Sequence, residues 1–120
     1  MTCIQRSGMS YHFDLGTWPR KISTRSDRAQ LWFDRGLNWT YAYNHEEAVA
    51  CFQSALKEDA GCAMGSWGIA YDGGPFYNRP WNRYSEAEIA CVLPVCCDAI
   101  ECAVALSINA HPTEQALAKR

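Results

Sequence analysis

Apolar residues recur at helical spacing along the middle of the chain. The first set is separated by intervals of three and four residues and consists of Ala29, Trp32, Gly36, Trp39 and Tyr43. These intervals predict one face of an amphipathic helix. Ser26 and Asp27 come just before it, and a capping hydroxyl followed by a negative charge is typical of a helix start. Because Gly36 costs about 1 kcal/mol relative to Ala inside a helix, we expect another helix backbone to approach it closely.

A second helix is predicted directly after the first. Asn44 and Glu47 have the spacing of a capping box, in which each side chain binds the other residue's free amide. The apolar face that follows consists of Ala48, Val49, Phe52, Ala55 and Leu56. Because the link is so short, we expect two antiparallel rods at roughly 27–42 and 45–58, clasped through Gly36 and Ala48 against Phe52.

Turn signals divide the rest of the chain. A third helix is predicted over roughly 62–72, where Gly73-Gly74-Pro75 stops it. A loop leads to a capping box at Ser85 and Glu88, and a long apolar helix over 87–108 that Pro94 is expected to kink or divide. A short last helix begins at Pro112. Residues 1–25 have no sustained period and predict an irregular arm lying over an all-α domain at 26–120.

The first two helices resemble a tetratricopeptide repeat, a helical hairpin of 34 residues. Counted from Ala29, the residues that match its large, small and aromatic positions are Trp32, Gly36, Ala48, Phe52 and Ala55. Arg35, Trp39 and Ala60 replace the usual Leu, Tyr and Pro. The best repeat covers 29–62, and a partial second repeat covers 63–108, where only the first helix fits.

This resemblance is to a divergent group of tetratricopeptide proteins and extends over about residues 14–117. It implies antiparallel helical hairpins of the α-solenoid type, with repeat packing at the matching positions and at Trp39. Relatives of this kind are longer, and about three units are usually needed for independent stability. Three alternatives follow: the arm and the last long helix act as caps, the chain forms a homodimer, or it is a truncated form.

Charge and cysteine usage exclude several classes of function. Eleven basic and thirteen acidic side chains give a net charge of −2, so nucleic acid is not an expected partner. No apolar leader is seen and no stretch approaches a membrane span, so we expect a cytoplasmic protein with no membrane partner. Seven scattered cysteines do not form a secreted disulfide framework and are expected to fill the core.

Candidate chemistry is sparse. Cys91, Cys96, Cys97 and Cys102 are separated by five, one and five residues, and thiolates on one helix need intervals of three or four to converge on a metal. His45 has no partner in a known nucleophile or metalloprotease pattern, and we expect it to pack or to help the cap. The sequence therefore predicts no enzyme, no metal site and no cofactor.

The loop after the third helix is the candidate binding site. Its aromatic, Arg and Asn side chains are Phe76, Tyr77, Asn78, Arg79, Trp81, Arg83 and Tyr84. Trp, Tyr and Arg dominate interface hot spots, but the same rings could instead cover the helix ends. By the resemblance, the groove face of the first helix offers Phe33, Arg35, Leu37, Asn38 and Tyr41. We therefore expect a module that binds a protein or peptide partner. The alternative is an accessory small-molecule-binding protein of a biosynthetic pathway, in which the loop and Trp67 close over an apolar ligand.

Overall fold

The computed structural model describes residues 11–16, 18–76 and 79–119, and over these ranges the regular structure is helical, which confirms the all-α prediction. Apart from two short 3₁₀ turns, at Trp81–Arg83 and Ser107–Asn109, the helices are α1 (Asp27–Tyr41), α2 (His45–Glu58), α3 (Ala63–Gly73), α4 (Glu86–Leu106) and α5 (Pro112–Ala118). Phe76 and Arg79 form an isolated β-bridge in the loop before α4.

Helix starts follow the predicted caps, with one difference. The Ser26 hydroxyl accepts a hydrogen bond from the Ala29 amide at 3.1 Å, and the Ser85–Glu88 capping box has both of its bonds. At α2, the Asn44 side chain accepts from the Glu47 amide at 3.2 Å. The Glu47 carboxylate, however, accepts the hydroxyl of Tyr11 at 2.8 Å. Half of the predicted box at Asn44 is thus replaced by a contact with the arm.

The helices α1 and α2 form an antiparallel hairpin. Arg28, at the start of α1, lies 3.2 Å from Glu58, at the end of α2, while Gly36 meets Phe52 farther along. Among the six predicted packing positions, Trp39 is half-buried and the others are buried, namely Trp32, Gly36, Ala48, Phe52 and Ala55. The α1–α2 hairpin and the burial of its contact face are therefore as expected.

The ring of Phe52 lies between two glycines. A Cβ added at Gly36 would be 2.5 Å from Cε1 of this ring, and one added at Gly68 of α3 would be 2.5 Å from Cδ2. Phe52 itself has no exposed surface. The space beside Gly36 is thus filled by the ring of Phe52, the residue against which Gly36 was expected to pack.

The helix α4 packs against α3 and runs through Pro94 without dividing. By length and composition, Glu86–Asn109 is long and apolar enough to cross a membrane, although these properties alone do not place it in one. The expectation that no stretch approaches such a span is therefore wrong. Only 6% of its most apolar window is buried within the described structure.

The arm is held on the domain by contacts with the core, with the end of α2 and with α5. Ile22 is buried in the core, and Thr24 donates its hydroxyl to Asp59 at 2.5 Å. The backbone amide and hydroxyl of Ser23 donate to one carboxylate oxygen of Glu114, on α5, at 2.9 and 2.6 Å. Described residues of the predicted arm, which covers 1–25, therefore contact the domain, whereas residues 1–10 and 17 lie outside the described ranges.

Candidate functional site

The predicted binding loop is largely occupied by contacts within the chain. Arg79 forms an ion pair with Glu88 and places its guanidinium 4.3 Å from the ring centre of Tyr84. The Tyr84 hydroxyl donates to the Gly74 carbonyl at 3.3 Å. Phe76 stacks on His45, with 4.4 Å between ring centres. These contacts cover the junction of α2, α3 and α4.

The remaining predicted loop residues differ in accessibility. Trp81 and Arg83 are exposed, and the ring of Trp81 rests against Tyr84 at 5.3 Å. Tyr77 and Asn78 lie outside the described residues. Of the predicted site residues that the structure describes in this loop, Trp81 and Arg83 are therefore the exposed ones.

A buried polar cluster lies beneath the loop. His45 Nδ1 is 2.5 Å from one oxygen of Asp72, and the Thr40 hydroxyl donates to the other at 2.6 Å. Burial raises the pKa of Asp72, an effect that the hydrogen bonds from Thr40 and His45 oppose. The cluster joins the end of α1, the start of α2 and the end of α3. His45 therefore packs in this cluster, while Asn44 supplies the cap.

A stripe of polar side chains on α1 holds the arm. The Gln30 amide nitrogen donates to the Arg20 carbonyl at 2.7 Å, and Asp34 accepts from the Arg20 amide at 3.0 Å. Asn38 donates to the Trp18 carbonyl at 3.3 Å. Residues four apart share one helical face, so this stripe satisfies the backbone of an irregular segment along the helix.

Between the arm and α1 lies a cavity of about 620 Å³, which we term the arm–α1 groove. It is lined by residues 11–16, 18 and 19 of the arm and by Leu31, Asp34, Arg35 and Asn38 of α1. Phe13, Trp18 and Leu31 are 52%, 67% and 47% exposed. Large apolar side chains that lie together and are about half exposed are typical of a binding surface.

Arg35 is held rigidly in the wall of the groove. Its guanidinium lies 4.4 Å from the ring centre of Tyr11 and 4.7 Å from that of Trp32. The Tyr11 hydroxyl is fixed in turn, since it accepts from the Trp39 indole at 3.0 Å. Burial raises the pKa of Tyr11, so its hydroxyl stays protonated at neutral pH; burial lowers the pKa of Arg35, but a guanidinium keeps its charge in proteins. Among the described residues, no carboxylate forms an ion pair with Arg35.

Only two of the five residues predicted for the groove face of the first helix line the arm–α1 groove. Arg35 and Asn38 line the groove, whereas Phe33 and Leu37 are buried in the core and Tyr41 is exposed outside the groove lining. The contribution of the arm was missed. The recurrence of Gln30, Asp34 and Asn38 at intervals of four was the signal available in the sequence.

Metal-ligating side chains do not converge in the described ranges. There, no group of three His, Cys, Asp or Glu residues is placed to hold an ion. Cys91, Cys97 and Cys102 are exposed on α4 and Cys96 is half-buried, in contrast to the expected core role, which Cys51 and Cys62 do have. Comparison of the chain with protein-family models, with curated proteins and with solved structures finds no match.

Proposed function

We propose that this protein is a non-catalytic, tetratricopeptide-like interaction module that holds a segment of a partner protein in the arm–α1 groove. The observation that carries the proposal is the exposed trio Phe13, Trp18 and Leu31 around a cavity whose wall contains the fixed guanidinium of Arg35.

The helical arrangement supports the tetratricopeptide part of the proposal. The ring of Phe52 on α2 is enclosed by Gly36 on α1 and by Gly68 on α3. In a tetratricopeptide array, each hairpin packs against the first helix of the next repeat. Three successive helices that meet at one residue agree with such an array.

The composition of the groove supports peptide binding. Trp and Arg are enriched among residues that dominate binding energy, and Phe adds a large apolar surface. Because Arg35 is already fixed between two rings, little side-chain entropy is lost when it meets a ligand. The groove is partly open to solvent, so an extended segment can enter it.

The volume of the groove favours a second candidate, the accessory small-molecule-binding protein. A cavity of about 620 Å³ falls within the range of small-ligand sites, about 300–1,000 Å³. Trp67, which was expected to close over such a ligand, stacks on Tyr71 of its own helix at 5.2 Å. A small ligand would therefore occupy the arm–α1 groove and leave Trp67 uninvolved.

Selection from a random peptide library, followed by fluorescence anisotropy, tests the proposal. Trp18→Ala and Phe13→Ala should each weaken the selected peptides by more than about fivefold, since hot-spot truncations cost more than about 1 kcal/mol. Tyr41→Ala is the matched control, an equally exposed aromatic outside the groove lining. Peptides that bind the groove variants as tightly as the native protein would contradict the proposal. Thermal stabilisation by metabolites, without peptide binding, would favour the second candidate.

A further inference from the structure

A separate surface lies on the side of α4 that faces away from α3. With about 100° between successive residues, the exposed side chains of this helix fall on one arc opposite the fully buried Ala103. They include Ala90, Cys91, Val95, Cys97 and Cys102, and we term this arc the outer face of α4. Apolar helices in folded proteins are usually buried, so the exposure of this one indicates that another surface covers it.

The charges of the outer face all have one sign. Glu86, Asp98 and Glu101 are exposed there, and α4 contains no Lys or Arg. In the described structure none of these three carboxylates has an ion-pair partner, whereas Glu88 is paired with Arg79. The helix therefore combines an apolar surface with uncompensated negative charge.

Pro94 adds a further hydrogen-bond acceptor to the same face. Proline has no backbone N–H, so the carbonyl of Ala90, four residues earlier, lacks its usual helical donor. Ala90 and Pro94 are both exposed on α4. An exposed carbonyl and three carboxylates together favour a partner rich in N–H donors and positive charge.

Two other occupants fit these charges poorly. A second copy packed through the same face would bring Asp98, near the middle of Glu86–Leu106, close to its equivalent, and like charges in contact repel. A bilayer would have to accommodate Asp98 and Glu101 near the centre of the span, at about 2.5–3.5 kcal/mol for an acidic residue there. Anionic headgroups would also be repelled.

We propose that the outer face of α4 binds a basic amphipathic helix of a partner protein. The small Ala and Cys side chains allow the two helix backbones to approach closely, and Lys or Arg side chains at the edges of the partner meet Asp98 and Glu101. The axial rise places these two carboxylates about 4.5 Å apart, and Glu86 about 18 Å from Asp98. A partner helix with basic residues a little over three turns apart fits this pattern.

The native cysteines provide the assay. The probe is a synthetic amphipathic helix of Leu and Lys, about 18 residues or five turns long, and its control is the same peptide with Glu in place of Lys. Binding is measured by fluorescence anisotropy, and coverage by the rate at which N-ethylmaleimide labels Cys91, Cys97 and Cys102, read by mass spectrometry. The Lys peptide should bind and slow labelling at these three thiols, and the Glu peptide should do neither.

A charge variant locates the interaction. Asp98→Asn with Glu101→Gln should weaken the Lys peptide by about fivefold, the effect of two exposed ion pairs. Asp27→Asn with Glu46→Gln removes the same charge from α1 and α2 and should leave affinity unchanged. Equal affinity for both double variants would overturn the proposal. Protection of the thiols by higher protein concentration alone, or by vesicles of phosphatidylglycerol and phosphatidylcholine, would also overturn it, in favour of a second copy or a membrane.

Discussion

Replacing Gly36 by Ala should destabilise this protein, although the same change stabilises an exposed helix. The new Cβ would lie 2.5 Å from Cε1 of Phe52, a distance that Cβ atoms do not adopt. The ring has little room to move away, because its opposite edge lies against Gly68, where an added Cβ would likewise be 2.5 Å from Cδ2. Overpacking costs about 1–3 kcal/mol, and Ala regains about 1 kcal/mol of helix propensity. Because a separation of 2.5 Å is a severe overlap, the upper part of the overpacking range applies, about 2–3 kcal/mol, and we expect a net loss of about 1–2 kcal/mol.

Urea unfolding followed by circular dichroism measures this loss as a lower midpoint at unchanged slope. Gly61→Ala is the control, since its nearest neighbour would be a side-chain oxygen of Asp59 at 3.4 Å, an ordinary contact. In a Gly36→Ala, Phe52→Leu double variant, the smaller side chain makes room, and the two changes together should cost less than their sum. A Gly36→Ala protein as stable as the native one, or additive costs, would refute the enclosed-ring argument.

Three further outcomes follow from buried groups. Glu114→Ala removes the acceptor of both Ser23 hydrogen bonds and should lower stability by about 1–3 kcal/mol and speed tryptic cleavage of the arm; an arm equally resistant would contradict this. Burial raises the folded-state pKa of Asp72 above its unfolded value, so the stability this group contributes is present at acidic pH and lost as pH rises through the raised pKa. Asp72→Asn keeps a neutral side chain at every pH, so its urea midpoint should lie closest to that of the native protein at about pH 4 and exceed it increasingly towards about pH 7; a gap that narrows as pH rises would oppose it. Burial raises the pKa of Cys51 to about 11, so N-ethylmaleimide should label the exposed thiols of α4 and spare Cys51 until urea unfolds the chain; early labelling of Cys51 would be inconsistent with the fold.

Local chemistry made the helix boundaries predictable. Ser26 starts α1 and the Ser85–Glu88 pair starts α4, because caps act within one turn and leave a signature in adjacent residues. Gly36 shows the limit of such reasoning. The hairpin pattern pointed to Phe52 as the neighbour of Gly36, but it did not show that Gly68 of α3 lies against the other edge of that ring.

The arm–α1 groove depends on contacts between distant segments, which the spacing of residues along the chain does not predict. The arm has no repeat of its own, so its path along Gln30, Asp34 and Asn38 is set by hydrogen bonds to backbone groups that every sequence has. The loop of Arg79 and Tyr84 had the composition of a hot spot, yet composition does not distinguish a free side chain from one already paired within the chain. In the same way, the hydropathy of α4 predicts that its apolar side chains are buried, but it does not identify the surface that covers them.

The contact between Ser23 and Glu114 has a consequence for the order in which the chain folds. These residues are 91 positions apart, so closing the intervening segment from a disordered state costs about 4 kcal/mol of chain entropy before any constant term. Two hydrogen bonds cannot offset that loss alone, so the helices between them must assemble first. During synthesis the arm leaves the ribosome before α5, the helix that carries its hydrogen-bond acceptor Glu114. The contacts of Ser23 with Glu114 are therefore among the last to form as these helices assemble, after the core around Ile22.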